Sequence, residues 1–375
     1  MVTIKEVITK KELKQFIRFP FTLYAADPCW VPPLIADETK TLSRHVNPSF
    51  DFCEAIYFLA LKDGRTVGRV AGIINHKANE RWKNKLTRFD WLDFTDDDEV
   101  SRALLDAVEK WGEGKGMTGI HGPMGFTDLD SEGMLVEGFG KLPSIVAKYN
   151  YPYYPEHLER HGYVKSVDWL QQRFPASQPV PEKVERINRL ISKKYNLRTQ
   201  EFTRRKDVLP YAAKMFDTIN QSFVNLYGYT ALSPKQIEYY VKAYFPFVRP
   251  ELVCFIIDDK DNVVGLGLSM PTLSRAFQKA KGRLLPFGWV HILKALRKYD
   301  TVDLYFNGVH PDWQHRGVHS LYYVAMNNAY IRHGIKTAIS TPQLEENINA
   351  VGIWDNYEKE FYMRTRCYIK NKNKD

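Results

Sequence analysis

Apolar and polar residues follow the same order twice along the chain. Residues 57–76 (YFLALKDGRTVGRVAGIINH) form an apolar run, an Asp-Gly turn and a second apolar run, and residues 252–271 (LVCFIIDDKDNVVGLGLSMP) repeat this order. Each pattern predicts a β-hairpin. After each hairpin we expect a further strand, an amphipathic helix and another strand, the last two within residues 98–123 and 319–342. The pattern therefore indicates an internal duplication.

The two copies meet in a polar, proline-rich segment, FPASQPVPEKV, which begins at Phe174. A chain of 375 residues is long for one hydrophobic core, since single cores stop growing near ~250 residues. We place the boundary near Pro179 and predict an N-terminal domain of residues 1–178 and a C-terminal domain of residues 179–375. Antiparallel hairpins combined with right-handed crossovers predict an α+β (α/β) fold of mixed sheets flanked by helices.

The composition is that of an ordinary globular protein, with 44% hydrophobic and 26% charged residues. No apolar run reaches the ~20 residues of a membrane-spanning helix, and the N-terminus lacks the apolar stretch of a secretory signal. The four cysteines lie far apart without a C-x-x-C pair, which predicts reduced thiols and no metal site. We therefore expect a cytoplasmic protein.

The net charge of +9 indicates an anionic partner, although a solvated lysine-rich surface would have the same composition. Motifs narrow the choice. The chain has no Walker loop, no G-x-S-x-G and no H-E-x-x-H, and Gly265-x-Gly267 lies inside a strand without the third glycine of the dinucleotide fingerprint. These absences exclude nucleotide hydrolysis, serine hydrolase, zinc protease and Rossmann sites, and nothing favours nucleic acid as the partner.

One loop has the composition of an anion site. The segment VHPDWQHRGVHS, residues 309–320, connects the predicted strand 301–309 to a helix that begins near Val318. Free main-chain N–H groups from about Gln314 to Ser320 and the positive end of the helix dipole would hold a phosphate or pyrophosphate. Gly317 allows the main chain to approach the anion closely. The alternative is a solvated turn between strand and helix.

The same loop resembles a known signature. Val309-x-Pro311-x-Trp313-Gln314-x-x-Gly317 is similar to the pyrophosphate-binding motif of the GNAT acyltransferase superfamily, and it departs from that motif at His319, where the family has glycine or alanine. The resemblance extends over nearly the whole chain and is to bacterial proteins with two tandem GNAT-like domains. It implies an acetyl-CoA or longer acyl-CoA as co-substrate.

The first half matches a different part of the family pattern. Residues 153–165 (YYPEHLERHGYVK) resemble the terminal motif, with Glu159, Gly162 and Tyr163 in place. Where the phosphate loop would lie, the sequence is WLDFTDDDEV, whose carboxylates would repel a pyrophosphate. The resemblance therefore implies a degenerate N-terminal domain and an acyl-CoA site in the second half alone.

The resemblance also implies roles for individual residues. Asp303, on the strand before the loop, is the candidate general base, with His310 and His319 as alternatives. The segment LEENINAVGIW, residues 344–354, is similar to the second family element through Asn347 and Ala350, but it has Trp354 where the family has a tyrosine that acts as general acid, so nearby Tyr357 becomes the candidate acid. The residues implied in binding acyl-CoA are Gly308, Val309, Gln314, His315, Arg316, Gly317, Val318, His319, Ser320 and Asn347.

An insertion precedes strand 301–309. Residues 284–298 alternate large apolar side chains with Lys and Arg, which predicts a basic, strongly apolar helix. In one hypothesis this helix packs on the domain interface. In the other it lines a pocket for a long acyl chain or a lipidic amine, and residues 284–298 contact a membrane peripherally.

The first functional hypothesis is an acyl-CoA-dependent N-acyltransferase that transfers an acetyl or longer acyl group to a small-molecule or lipidic amine, by direct attack in a ternary complex. A second is an aminoacyl transferase similar to the Fem family, which pairs two such domains and uses charged tRNA. A third is a binding or scaffold protein of the same fold that has lost catalysis, which the substitutions at His319 and Trp354 favour.

Overall fold

Both predicted hairpins form, and each occupies the same place in its half of the chain. The computed structural model describes residues 1–347 and 358–371. Its strands are β1 (Thr3–Glu6), β2 (Cys53–Lys62), β3 (Arg65–Asn75), β4 (Leu86–Phe94), β5 (Gly119–Gly122), β6 (Met134–Glu137), β7 (Val164–Pro175), β8 (Arg198–Glu201), β9 (Val253–Ile257), β10 (Val263–Pro271), β11 (Thr301–Val309), β12 (Thr337–Ser340), β13 (Gln343–Leu344) and β14 (Glu360–Asn371). Its helices are α1 (Lys10–Leu23), α2 (Ile35–Thr41), α3 (His76–Trp82), α4 (Asp98–Gly114), α5 (Tyr153–Arg160), α6 (Glu182–Tyr195), α7 (Arg205–Val208), α8 (Ala212–Ser222), α9 (Pro234–Tyr244), α10 (Ser274–Ala280), α11 (Gly288–Arg297) and α12 (His319–His333).

The predicted duplication is visible in the order of the elements. In each half a hairpin (β2–β3 or β9–β10) is followed by a strand (β4 or β11), a long helix (α4 or α12) and a strand that lies parallel to the previous one (β5 or β12). Parallel neighbours require such a crossover, and a helix supplies it. The mixed α+β fold predicted from the sequence is confirmed.

The two halves exchange their last strands. All the strands belong to one sheet, whose central order is β4-β5-β14-β7-β12-β11. The final strand of the second half, β14, pairs with β5 of the first half, and the final strand of the first half, β7, pairs with β12 of the second. The two exchanged strands are antiparallel neighbours over their whole length. Each half therefore needs the other to complete its sheet.

Helices cover both faces of the sheet in the second half. On one face, α12 packs on β9 and β10 through Leu321, Tyr322 and Met326. On the other face, α8 and α9 bury Met215, Phe216 and Tyr240 against the same strands. Among the described residues, no helix combines the length and the apolar character that crossing a bilayer demands.

The helix predicted over residues 284–298 begins later than predicted, because only α11, from Gly288 to Arg297, lies in that range. Residues 281–287 make a turn that connects it to the preceding short helix, α10. Pro286 lies in this turn, and a proline interrupts a helix because it lacks an N–H group. Leu284, Leu285 and Phe287 therefore precede the helix that they were predicted to join.

The seam between the exchanged strands contains a buried carboxylate. The side chain of Asp168 on β7 is 0% exposed, and its oxygens accept hydrogen bonds from Arg366 at 2.8 and 3.0 Å and from Arg364 at 3.0 Å. Lys165 lies 3.0 Å away. Burial alone would raise the pKa of Asp168, but hydrogen bonds from these cations, Arg366 foremost, lower it below its usual value.

We expect Asp168→Asn to destabilise the protein by roughly 3 kcal/mol at pH 7, because it removes the buried negative charge that Arg364 and Arg366 share. The pKa of Asp168 is depressed in the folded state, so its contribution is present above the unfolded pKa of about 4 and is lost as the pH falls through the folded value. Urea unfolding of both proteins at pH 7 measures the difference.

Asp261→Asn is the matched control. Asp261 also pairs with two cations, Arg198 at 2.7 Å and Lys214 at 2.9 Å, but its side chain is 52% exposed. Exposed pairs contribute less than about 1 kcal/mol. Equal losses for the two substitutions would contradict the importance of the buried seam.

Candidate active site

A cleft opens in the sheet where β11 and β12 separate. The two strands pair only from Thr301 to Leu304. Beyond this point the hydroxyl of Thr341 donates to the carbonyl of Leu304 at 2.7 Å, and the chain turns so that β13 pairs with β7 instead. On the other edge of β11, Ser269 of β10 pairs with Leu304 and Leu268 with Phe306, so Tyr305 is an extra residue that forms a β-bulge.

The end of β11 lines this cleft with its main chain. The N–H of His310 bonds to the carbonyl of Val264 at 2.9 Å. Since hydrogen-bonded and non-bonded pairs alternate in an antiparallel ladder, the main-chain groups of Asn307 and Val309 point away from β10, toward the cleft. The carbonyl of Val309 accepts from Ser222 Oγ at 3.0 Å and from Gln314 Nε2 at 3.1 Å. The side chain of Gln314 therefore fastens the loop to the strand.

The predicted anion loop presents unpaired donors. His315 and Gly317 have φ values of +59° and +77°, whereas Arg316 between them lies outside the left-handed region. Such alternation turns successive N–H groups toward one point. No main-chain N–H from His315 to His319 donates to any of the residues that the structure describes, and the buried hydroxyl of Ser320 also lacks a partner there. An anion at this helix N-terminus would satisfy these groups.

Helix α6 supports the loop from behind. The ring of Tyr195 packs edge-on against Trp313 at 5.9 Å, and the guanidinium of Arg316 lies 5.4 Å from the centre of the Trp313 ring. A Cβ atom on Gly317 would lie 2.6 Å from Ile191 Cδ1. Position 317 therefore favours glycine mainly for its positive φ, since the end of the Ile191 side chain could move to admit a Cβ atom.

The remaining predicted cofactor residues lie around this loop. Val318 is buried, whereas His319 is exposed at the start of α12, and partial burial of its imidazole lowers its pKa. Gly308 is half-buried on β11 and faces Ser222. Asn347 lines the cavity described below. The candidate acid Tyr357 and the neighbouring positions Ala350 and Trp354 lie outside the described residues.

A cavity of about 270 Å³ lies on the face of the sheet that α8 and α9 cover. Most of its wall is aromatic or aliphatic and comes from the second half, including Phe216, Phe223, Tyr229, Tyr240, Tyr244, Phe245, Tyr305 and Phe306. Leu304 and Asn307 line this cavity and also a smaller one of about 30 Å³ on the α12 face. Both cavities therefore border the cleft between β11 and β12.

One wall of the larger cavity is acidic and comes from the first half. Asp128, Asp130 and Glu132 lie on the loop between β5 and β6. Asp130 accepts the N–H groups of Phe126 and Thr127 at 2.7 and 3.1 Å, and burial raises its pKa to about 6. Burial, followed by the charge of Asp128, raises the pKa of Glu132 well above its usual range. We call these three residues the acidic wall.

The acidic wall has little positive charge to balance it. Arg88 is buried beside it, and its single positive charge acts to lower the pKa values of Asp128 and Glu132, but its guanidinium donates hydrogen bonds to the carbonyls of Gly125 and Gly228, each at 3.0 Å. Within the described part of the chain, Asp128 Oδ1 and Glu132 Oε1 are buried without a donor. Buried carboxylates are stable when a cation accompanies them, so this wall favours a cationic group in the cavity.

Asp303, the candidate base, lies next to the cavity but does not line it. Its side chain is 1% exposed, Oδ1 accepts from Thr272 Oγ1 at 2.8 Å, and Oδ2 has no donor among the residues described. Burial raises the pKa of Asp303 to about 7. Burial and then the charge of Asp303 raise the pKa of Tyr305, which does line the cavity.

The first half has no such loop at the corresponding place. Between β4 and α4 there are only residues 95–97, and Asp97 caps α4 by accepting the N–H of Glu99 at 3.0 Å. Asp98 forms an ion pair with Arg160 at 2.9 Å. The helix N-terminus is therefore already occupied by the carboxylates that the sequence placed there.

The same region contains the three potential metal ligands found among the described residues, Asp98, His157 and His161. Hydrogen bonds already engage most of them, because Ser101 Oγ lies 2.7 Å from His157 Nδ1 and 2.8 Å from His161 Nε2, and Asp96 lies 2.9 Å from His157 Nε2. The sequence-based prediction of no metal site remains a prediction.

The fold defines the class. The structure aligns over 100% of its length with 100% of a tandem GNAT protein from the clavulanic acid biosynthesis pathway, at a TM-score of 0.56 and 13% identity. It also aligns over 99% of its length with 38% of a fungal multi-domain protein that contains a GCN5-related glucosamine N-acetyltransferase region, at a TM-score of 0.56 and 11% identity. The chain has the GNAT fold in two tandem copies.

Two curated proteins are related in sequence. Protein YghO of Escherichia coli K12 is 26% identical over 377 residues, which cover 98% of this chain and 95% of YghO. The bacterial ceramide synthase of Caulobacter vibrioides is 28% identical over 298 residues, which cover 79% of this chain and 77% of the synthase. No family model matches the chain.

The buried charge of Asp303 predicts a specific pH dependence. Its pKa is raised in the folded state, so the folded protein loses stability as the pH rises from the unfolded pKa of about 4 through 7. We expect Asp303→Asn to remove this loss and to stabilise the protein by roughly 2.7 kcal/mol more at pH 8.5 than at pH 5, because about two pKa units of the shift lie between these pH values. Thermal unfolding at both pH values measures the effect, and Asp312→Asn, at an exposed loop position, is the control. A pH-independent effect of Asp303→Asn would show that Asp303 is not a buried titrating group.

Proposed function

We propose that this protein is an acyl-CoA-dependent N-acyltransferase whose acceptor is an amine carried on a large apolar body. One observation carries the proposal: a loop of unpaired N–H groups stands at the end of the cleft, and the cleft borders an aromatic cavity with an acidic wall. The loop suits a pyrophosphate, and the cavity suits a cationic, apolar acceptor.

The residues near the loop fit coenzyme A. The main-chain N–H groups from His315 to His319 and the hydroxyl of Ser320 would hold the pyrophosphate, and Arg316 would add positive potential. The main-chain groups of Asn307 and the N–H of Val309 would pair with the pantetheine arm, since the carbonyl of Val309 already accepts from Ser222 and Gln314. Bound acyl-CoA would supply an acyl group already activated as a thioester.

The acceptor site is argued from the cavity. A volume of about 270 Å³ with an aromatic lining favours an apolar body, and the acidic wall favours an ammonium group at one end. The relative named as a ceramide synthase supports this choice, because a ceramide is the amide of a long-chain amino alcohol and a fatty acid. We infer the same class of acceptor here, a long-chain amine or amino alcohol.

The chemistry requires the ammonium to lose a proton before its nitrogen attacks the thioester carbon. The nitrogen–carbon bond then forms and the carbon–sulfur bond breaks. The nitrogen loses a second proton as the amide forms, and the sulfur takes up a proton and leaves as the thiol. Carboxylates whose pKa values burial has raised toward neutral pH can accept the first proton. We assign this role to the acidic wall, which lines the cavity, and place Asp303 behind Tyr305 as the second candidate.

The two other hypotheses explain less of the structure. An aminoacyl transferase that uses charged tRNA has no need of a pyrophosphate loop, and a scaffold protein has no need of an open cavity with unbalanced carboxylates. Coenzyme A binding separates both of them from the proposed transferase.

We expect coenzyme A to raise the melting temperature of the protein by several degrees, since a ligand at 100 times its Kd adds about 2.7 kcal/mol to the stability. Gly317→Glu should abolish this shift, because it places a carboxylate in the loop and forces a side chain into the left-handed region. Differential scanning fluorimetry with and without coenzyme A measures the shift.

Gly334→Glu is the matched control. Gly334 has a φ of +67° at the other end of α12, and a Cβ atom there would meet nothing within 4 Å. The substitution therefore has a similar backbone cost and adds the same charge away from the loop. A shift that survives in Gly317→Glu would contradict the role of the loop, and no shift in the folded wild-type protein would contradict the proposed function.

The acidic wall predicts the acceptor kinetics. We expect Asp128→Asn to raise the KM for a long-chain amino alcohol by roughly tenfold or more, because it weakens a charge-assisted contact with the ammonium. The KM for acyl-CoA should stay unchanged. Release of free thiol from acyl-CoA in the presence of the amine measures both constants.

Glu238→Gln is the control for that experiment. Glu238 lies on α9, whose other face lines the cavity, but its own side chain is 68% exposed. It should leave both constants unchanged. If Asp128→Asn lowers kcat at constant KM for the amine, Asp128 itself accepts the proton and does not bind the acceptor. If neither constant changes, the wall has no part in the reaction.

A further inference from the structure

The α10–α11 segment exposes an apolar surface. Six of the sixteen large hydrophobic side chains that the described residues expose lie between positions 284 and 293. Leu285 and Phe287, in the turn, are 76% and 71% exposed. The other four are Leu284, Trp289, Val290 and Leu293. We call residues 274–298 the basic hairpin, for the reason given below.

The opposite side of the basic hairpin is firmly packed. Phe277, Ile292 and Leu296 are buried in one cluster with Leu34 of the first half. Hydrogen bonds reinforce this contact, because Ser274 Oγ donates to the carbonyl of Pro143 at 2.6 Å and the N–H of Ile35 donates to that of Gly282 at 2.9 Å. The hairpin is therefore a fixed part of the structure. Because its inner side is packed against the first half, the apolar side chains on its outer side stay exposed to solvent.

Every charged side chain in the segment that carries these apolar residues is a cation. Residues 272–299 contain no Asp or Glu and seven Lys or Arg, which is most of the net charge of +9. All seven are exposed: Arg275, Lys279, Lys281, Arg283, Lys294, Arg297 and Lys298. None of them forms a salt bridge with the residues described in the structure. The hairpin therefore combines an unpaired basic surface with protruding leucine, phenylalanine and tryptophan side chains.

We infer that the basic hairpin docks the protein on the surface of an anionic lipid bilayer. Cations attract anionic headgroups, and apolar side chains in the turn enter the boundary between headgroups and acyl chains. A second copy of the chain is a poorer occupant, because a twofold interface would bring the same seven cations against each other. A nucleic acid would pair with the cations but would leave Leu285 and Phe287 in water.

The hairpin lies next to the acceptor cavity. Phe247 packs on Phe277 of the hairpin with ring centres 6.4 Å apart, and its neighbours Phe245 and Val248 line the cavity. Strand β10, whose Met270 also lines the cavity, leads directly into α10. Docking would bring the cavity close to the bilayer surface, which would allow a long-chain amine to be taken from the membrane. This last step alone depends on the proposed function.

The test is co-sedimentation of the full-length protein with vesicles of phosphatidylcholine alone and of an equimolar mixture with phosphatidylglycerol. We expect binding to the anionic vesicles that weakens as salt is added. The double substitution Leu285→Asp and Phe287→Asp should reduce the bound fraction by roughly tenfold or more. Because both side chains are mostly exposed, the substitutions should leave the melting temperature unchanged.

Leu190→Asp on α6 is the matched control, since its side chain is 61% exposed but lies outside the basic hairpin. It should bind vesicles like the wild-type protein. Lys281→Gln with Arg283→Gln should weaken binding to the anionic vesicles only. Lipids brominated along the acyl chain should quench part of the tryptophan fluorescence, and Trp289→Phe should remove that part, because Trp289 is the exposed tryptophan of the hairpin.

Failure of this inference is distinguishable from failure of the proposed function. Absence of vesicle binding in a protein that still gains stability with coenzyme A would overturn docking alone. Vesicle binding by a protein whose melting temperature coenzyme A does not raise would support docking and contradict the proposed transferase function. Light scattering supplies the last outcome: if Leu285→Asp with Phe287→Asp converts a dimer into a monomer and vesicles are not bound, the surface is an interface between copies of the chain.

Discussion

The antiparallel pairing of β7 with β14 joins two halves that are each short of one strand. Without β14, strand β5 would have an unpaired edge. Without β7, strand β12 would have one too. An open edge presents unpaired N–H and C=O groups, which proteins avoid in their interior. The exchange satisfies both edges at once, and the ion pairs of Asp168 with Arg364 and Arg366 lie across the same seam. The two copies thus form one sheet, and features of one half are placed within reach of the other.

The candidate site is a product of that placement. The loop that carries Asp128, Asp130 and Glu132 belongs to the first half, yet it closes a cavity whose aromatic wall belongs to α8, α9 and β11 of the second. Three buried carboxyl groups beside one cation, Arg88, cost free energy when they are ionised, and Arg88 gives its hydrogen bonds to carbonyl groups. Such a cost is expected where a ligand brings the missing charge. The first half, whose own helix N-terminus is capped by Asp97, would thereby serve the reaction of the second half.

What the sequence predicted correctly was local. The hairpins and the loop between β11 and α12 depend on residues close together in the chain, so their patterns are visible in it. The strand exchange depends on pairing between residues nearly 200 positions apart, and no pattern in either strand specifies its partner. For the same reason, no sequence pattern predicts the acidic wall or the packing of Ile191 and Tyr195 behind the loop of Gly317. The acidic run DLDSE, residues 128–132, was visible in the sequence, but only the fold brings it to the cavity.

The two functional surfaces of this protein carry opposite charge: the cavity is acidic, and the exposed hairpin is basic. Carboxylates gather in the cavity, whereas seven of the cations that make the chain basic lie on one exposed hairpin. A net charge of +9 is compatible with a solvated lysine-rich surface, but such a surface would spread its cations and would not interleave them with exposed Leu285 and Phe287. The division also suits an amine that resides in an anionic membrane. The hairpin would bind the anionic lipids. The cationic ammonium of the acceptor would be repelled by that basic surface and attracted by the acidic wall of the cavity, which has the opposite charge.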